Sequence, residues 1–585
     1  RIKRQNDRTI SVIIGNPPYN ANQQNENDNN KNRSYPAIDQ LIKATYIKYS
    51  TAQKTKLYDM YSRFFSWATG RLNENGILAF VTNSSFINAK TFDGFRKVVA
   101  EEFTEIYIID LGGDVRVNPK LSGTKNNVFG IQTGVTISFM VKKKTTQKNP
   151  CKIFYTCRPE FDTAEEKLKF LATNKFSQIH FQHIHPDDNY NWINLANTDF
   201  NNLLPLIDKN TKNSKILADE KAIFKLFSLG IVTARDEWIY DLSQNSLTNK
   251  INYFYNIYHQ EQLRWQNLNN PKILINDFVD RTVKWTSELE HHLIRGSKLE
   301  YNSSCLNIGL YRPYFKQYLY YDKIIVHRLY QQNYIFQVKS DFENLVITFT
   351  DPGSQKPFMS LASNTILDLH LNGAACGTQC LPLYRYDKEG NRIDNITDWG
   401  LKQIQTHYQD ETITKIDIFH YTYAVLHNPA YRSKYELNLK REFPRLPYYE
   451  NFQKWVNWGK QLMELHINYE TVTPYNLTRL DIPLKDNQKT PKPKLKADKT
   501  KNSIILDDVT TLENIPKIAW EYMLGNRCAV EWILDQYKEK KPKDPTIAEK
   551  FNTYRFADYK EQVIDLLMRV CTVSVETMNI IREME

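Results

Sequence analysis

Asn16-Pro17-Pro18-Tyr19 carries the groups in this chain best suited to chemistry at a single point. Two successive prolines fix φ at positions 17 and 18 and hold Asn16 extended, while Gly15 lets the backbone approach a ligand closely. The corner offers a side-chain amide oxygen, backbone carbonyls with no proline N–H beside them, and an aromatic face. That set suits an exocyclic amine on a flat ring. The amino nitrogen of adenine is a poor nucleophile because its lone pair is delocalised into the ring. The Asn16 amide oxygen and the Pro17 carbonyl, accepting its two N–H protons, would draw it toward a pyramidal geometry and free that pair. Tyr19 would stack on the base. A base inside a duplex is out of reach, so the site implies a nucleotide flipped into a pocket. The same residues also read as a rigid turn, since Asn-Pro commonly starts one.

The elements that must hold this corner come next. Val12 to Ile14 form a short β-branched run of the kind that fills a buried parallel strand. Asn20 to Ser34 is almost wholly polar and reads either as a flap over a ligand or as a solvated loop. Ile38 to Tyr49 and Leu57 to Ala68 carry helical spacing, and Asn73-Glu74-Asn75-Gly76 breaks the second helix. Ile77 to Val81 reads as a strand, a helix follows around Phe95, Val98 and Val99, and Ile106 to Asp110 is a further strand. This alternation predicts a doubly wound α/β sheet, which Val135 to Val141 closes. Asp110-Leu111-Gly112-Gly113-Asp114 lacks the Gly-x-Gly spacing and the following helix of a cofactor loop.

The strand followed by Asn16-Pro17-Pro18-Tyr19 resembles the catalytic motif of adenine-N6 DNA methyltransferases. Gly76 to Ile87, with Asn127-Val128-Phe129 and the strand after it, is similar to the later half of the same fold. The resemblance implies a Rossmann-like core, S-adenosylmethionine as methyl donor, double-stranded DNA as partner, and Phe129 on the second face of the flipped base. The family's glycine-rich cofactor loop and its ribose-binding acid lie upstream of that motif. Only fifteen residues precede Asn16 here and the chain opens at Arg1. The cofactor elements are therefore expected upstream of residue 1, or else the chain cannot bind the cofactor by itself.

Composition sets wider bounds. The 585 residues suit three or four domains, and Lys and Arg exceed Asp and Glu by 77 to 66, a mild basic excess compatible with a polyanion. Seven scattered cysteines suit a reducing cytoplasm, and no apolar run approaches a membrane span. No phosphate loop of an ATP-driven motor and no nuclease cluster stands out. His183 and His185 lack a third ligand nearby, and Cys376, Cys380 and His370 lack a paired second set, so no metal is expected.

Beyond residue 216 the texture changes to short runs of aromatics and arginines. Phe227 to Trp238, Tyr311 to Gln317, Val326-His327-Arg328, Tyr423 to Arg432, Leu439 to Arg445 and Tyr522 to Trp532 carry them. In that order they resemble the target-recognition region of single-polypeptide type I-like (type ISP) restriction-modification enzymes and their type IIG relatives. That resemblance implies a nuclease and helicase ahead of this chain. Arg235, Arg312 and Arg328 are the candidates for DNA contact, since arginine suits phosphates and guanine edges. Arg441 and Arg445 are expected to line a helical scaffold, and Lys489 to Asn502 to be an exposed basic loop ahead of closing helices.

The resulting expectation is an α/β methyltransferase core, incomplete at its N-terminus, over residues 1–145. A connector spans 146–215, and a large α+β target-recognition domain spans 216–585. Two other readings stay open: a specificity module without its own cofactor site, and an RNA or protein-glutamine methyltransferase sharing the Asn-Pro-Pro-Tyr chemistry.

Overall fold

The structure, a computed structural model, describes residues 8–18, 35–50, 57, 59–114, 125–144, 150–159, 161–188, 190–193, 198–268, 273–337, 343–354, 356–374, 376–483 and 490–585. The chain divides into two compact units, Arg1–Ala196 and Asn197–Glu585.

In the first unit the described elements are β1 (Ile10–Gly15), α1 (Pro36–Ile42), α2 (Met60–Arg71), β2 (Leu72–Asn83), α3 (Asp93–Glu102), β3 (Glu105–Gly112), β4 (Val135–Lys142), β5 (Lys152–Cys157), α4 (Ala164–Thr173) and β6 (Gln182–Ile184). The strands form one mixed sheet in the order β1-β2-β4-β3-β5-β6. β1 is parallel to β2 and β3 to β5, while β4 runs antiparallel to both β2 and β3. The run at 135–141 therefore does not close the sheet as expected. It is wedged inside it, because a strand reversed between two parallel neighbours bonds to both.

Leu78, Phe80, Ile106, Ile108 and Met140 on one sheet face pack with Tyr61, Phe65, Phe95 and Val99 from the helices. Phe65 sits at the centre, meeting Phe80, Phe86 and Phe95 at ring separations of 5.1, 5.7 and 5.2 Å. α1 is clamped to α2 by a two-pronged pair, Arg63 Nε and Nη2 donating to the Asp39 carboxylate at 2.7 and 3.1 Å. The stretch expected to be a connector, 146–215, supplies β5 and β6 to this sheet.

β1 corrects a second expectation. It pairs parallel as predicted, but Val12 is 55% and Ile14 79% exposed, so the strand is covered on one face only. Among the described residues it is the sheet's edge, and alternation turns those two side chains away from the face that Ile13 helps to pack.

The second unit is α+β. Its described elements include α5 (Gln244–Gln266), β7 (Leu306–Arg312), β8 (Phe315–Tyr320), β9 (Val346–Thr350), β10 (Ser360–Ser363), β11 (Thr378–Pro382), α6 (Lys415–His427), α7 (Phe452–Ile467), β12 (Thr478–Asp481), β13 (Pro493–Asp498), β14 (Ser503–Asp507), β15 (Thr510–Glu513), α8 (Ala529–Gln536) and α9 (Phe556–Glu583). α6 and α7 touch closely at Gly459, where a Cβ would overlap the His420 carbonyl. A buried polar knot links the helices: His466 on α7 bonds the Tyr423 hydroxyl of α6, the Thr577 hydroxyl of α9 at 2.9 Å and the Tyr522 hydroxyl at 3.1 Å. Tyr522 in turn meets the Tyr314 hydroxyl at 3.0 Å. Tyr314 closes the β7–β8 turn at φ +56°, a conformation usually left to glycine, and its buried ring is held there by His466 and Tyr469. No helix of the described residues is long and apolar enough to cross a membrane, and all seven cysteines are free thiols.

Candidate functional site

Four chain segments converge at one edge of the first unit's sheet. β1 ends at Gly15, opposite Phe80 of β2. A Cβ at Gly15 would come within 3.1 Å of the Phe80 ring, so glycine lets β1 lie tightly against β2 just before the corner. Asn16 and Pro18 are exposed and Pro17 is buried, so the corner is anchored by one proline and presents the asparagine outward. Tyr19, the flap at 20–34 and the first part of the stretch after Asp114 lie outside the described residues.

β2 ends beside it in Asn83-Ser84-Ser85. The Asn83 side-chain Oδ1 accepts from Ser85 N at 2.7 Å and Ser85 Oγ at 2.6 Å. Ser84 N donates to the Gly134 carbonyl at 3.0 Å, and Gly134 leaves no room for a side chain against Ser84 Oγ. That bond ties the end of β2 to the loop 125–134, which leads into β4 and carries Phe129. β1 and β4 are two strand spacings apart, about 10 Å, and both the Asn16 corner and the Phe129 loop leave from this edge.

Phe129 is 48% exposed, which rules out an ordinary core phenylalanine. What holds its loop is Asn127, buried, with every polar group of its amide engaged. Its nitrogen donates to the Gly113 and Thr133 carbonyls at 3.2 and 2.7 Å, and its oxygen accepts from Phe129 N at 3.0 Å and Ile131 N at 3.3 Å. Lys167 on α4 adds a bond from Nζ to the Asn126 carbonyl. The Gly112-Gly113 turn gains a structural explanation here. Both have positive φ, and a Cβ at Gly113 would come 2.7 Å from the Asn126 carbonyl, so Gly113 admits the loop and is closed over by it, while Gly112 faces open space. Beside them the Asp110 carboxylate accepts from Gly112 N at 2.8 Å and the Tyr155 hydroxyl at 3.0 Å; loss of solvent pushes its pKa above the ordinary carboxylate value. Asn127 belongs to the segment Asn127-Val128-Phe129, whose resemblance assigns a role to Phe129 alone. An asparagine two residues before an aromatic, able to bond the backbone ahead of it, is the signal that could have found it.

The three arginines proposed for DNA contact part ways. Arg235 is buried, its guanidinium donating to the Ile325 carbonyl at 2.9 Å and Thr286 Oγ1 at 2.8 Å over the Phe254 ring. Burial pushes its pKa down to about 10. It serves the core of the second unit and offers nothing outward, which corrects that assignment. Arg312 lies 3.9 Å from the Tyr311 ring centre and is paired at 3.0 Å with buried Asp368, so its charge is largely spent. Arg328 alone of the three is exposed, held by two backbone bonds to Val232. Arg445, expected on a helical scaffold, lies instead in a two-residue strand and donates to the Asn201 and Leu203 carbonyls. Cys376 sits among Ser354 and Asn372, and no group of three or more potential metal ligands occurs among the described residues.

Residues 222–566 match the family described as Type ISP C-terminal specificity domain, and residues 2–117 the family described as Eco57I restriction-modification methylase. The Asn16 corner falls in the second match and all three arginines in the first. Among solved structures, the chain is similar over its whole length to a cryo-EM structure of the DrdV–DNA complex, at 47% identity and TM-score 0.88, covering 58% of that chain. A nuclease-deletion mutant of the Type ISP restriction-modification enzyme LlaGI with a DNA substrate mimic is 31% identical, at TM-score 0.84, with 100% of this chain and 53% of that one covered. The ATP-dependent Type ISP enzyme LlaBIII bound to DNA is 28% identical, at TM-score 0.81, with 100% and 38% covered. The chain thus spans less than two thirds of each of these neighbours. A search of the curated proteins gave no match.

Proposed function

The chain belongs to the Type ISP C-terminal specificity-domain family, and from that premise we propose that it methylates adenine N6 at a specific site in double-stranded DNA, within a restriction-modification enzyme. The observation that carries this reading is the exposed Asn16, braced by buried Pro17 at the end of β1, inside the segment matched to a methylase.

In this reading the second unit selects the sequence and the first receives the everted adenine. The Asn16 amide oxygen and Pro17 carbonyl accept the two amino protons, and Phe129, braced by Asn127, covers one face of the ring while Tyr19 takes the other. Held in this way, the amino nitrogen would present a lone pair freed from conjugation, and its surplus proton would pass to solvent. S-adenosylmethionine supplies the electrophilic methyl. Among the described residues Gly113 offers no cradle for it, because the Asn126 carbonyl of the chain's own loop occupies the space beside it. That closure favours a second reading, a catalytically incomplete DNA-binding specificity module without its own cofactor site. Expression of the polypeptide bearing Asn16→Ala in a host, scored by single-molecule sequencing for modified adenines, tests the reading. Loss of the mark with DNA binding kept supports it, and an unchanged mark overturns it.

A further inference from the structure

Residues 490–501 form a strand and turn where an exposed loop was expected. Among the described residues β13 is the outer strand of the sheet β12-β15-β14-β13. Its register against β14 slips by one residue between Pro493 and Lys496, and Leu495 sits there at φ +43° with its side chain buried. Lys492, just ahead of β13, and Lys494 and Lys496 on either side of the bulged Leu495 are all exposed. None of the three has an ion-paired or hydrogen-bonded side chain among the described residues. The nearby charges are otherwise committed. Lys499 pairs with Glu531 at 3.0 Å, and Asp507 with Lys560 at 2.6 Å. Asp498 is engaged by Thr500 and the Lys501 amide, and Asp508 accepts from the Lys492 amide.

Lysines on an outer strand can serve only to stop strands from pairing edge to edge. Here the bulge already blunts that edge, so three exposed lysines with no side-chain partner among the described residues are more than the task needs. A nucleic acid carries one phosphate per 3.4 Å of axis on each strand, a repeat such a row can follow with its long stems.

We propose that the β13–β14 hairpin is a sequence-independent phosphate-binding ribbon that holds duplex DNA through Lys492, Lys494 and Lys496. This rests on the DNA-directed reading above but not on methyl transfer, which Asn16→Ala probes separately.

The test measures binding of the full chain to a 30-bp duplex of random sequence across a KCl series. The wild type is compared with the triple variant K492Q/K494Q/K496Q and its Lys→Arg counterpart. Three lost phosphate contacts make the plot of log affinity against log salt shallower by about 2 to 3, and the arginine version restores the slope. An unchanged slope in the triple variant overturns the proposal. So does a rise in light scattering at constant slope, which assigns the lysines to edge protection, or failure of the wild type to bind the duplex.

Discussion

Phe129 and Asn127 divide one task between an exposed ring and a buried brace, so their removal separates function from stability. Phe129→Ala, at a half-exposed position, changes stability by no more than about 0.5 kcal/mol in chemical denaturation. In the proposed function it weakens the hold on an everted base, read as reduced 2-aminopurine fluorescence at the target position in the enzyme–DNA complex. Asn127→Ala strands two carbonyls and two amides and costs about 1–3 kcal/mol. The arginines separate in the same way. Arg235→Ala empties a buried, bonded site and costs about 2–4 kcal/mol, whereas Arg328→Ala leaves the denaturation midpoint in place and reduces the salt slope of DNA binding by about 1. Equal thermal shifts for the two arginine variants would contradict this division.

Among the elements, α2 and the α6–α7 pair carry identifiable strains. Asp59, buried just ahead of α2, has its carboxyl pushed up to about 6 by loss of solvent, against bonds from Ser62 that work the other way. The folded chain therefore takes up a proton more readily than the unfolded one. Stability from this group is greatest below about pH 4 and falls as pH rises to about 6, by roughly 3 kcal/mol. Asp59→Asn is expected to be more stable than wild type at pH 7.5 and to lose that advantage at pH 4, as measured by urea midpoints. Gly459 permits the approach of α7 to the His420 carbonyl, so Gly459→Ala forces the helices apart and costs about 1–3 kcal/mol or more. The periodicity of α2 and α3 was plain in their apolar spacing. The place of β4 was not, because an internal antiparallel strand and a closing one carry the same apolar pattern.

For the molecule as a whole, the polar knot around His466 sets a limit on acid tolerance. Burial, aided by the Arg432 charge, pushes the imidazole down to about 3, and His427 beside it is also depressed. Both fold neutral. Their contribution is fully present above about pH 6.5 and is lost as pH falls toward 3, so the second unit weakens progressively through that window. His466→Gln is expected to flatten the decline in a tryptophan-fluorescence titration of stability, and an equally steep decline in that variant would place the acid sensitivity elsewhere.

The sequence by itself determined what depends on local covalent geometry and on segment order: the stiff Asn16-Pro17-Pro18 corner after a parallel strand, the helices around Phe65 and Phe95, and the sequence of aromatic and arginine runs in the second unit. Proline, glycine and apolar spacing act over a few residues, so they can be read without a fold. Tertiary structure alone decided which arginine faces water, that Gly113 is closed over by the loop Asn127 braces, that Val12 and Ile14 stand uncovered, and that Lys492, Lys494 and Lys496 are all exposed. Those outcomes depend on partners distant in the chain, as Arg235 does on Ile325 and Thr286, and on which strand ends up beside which.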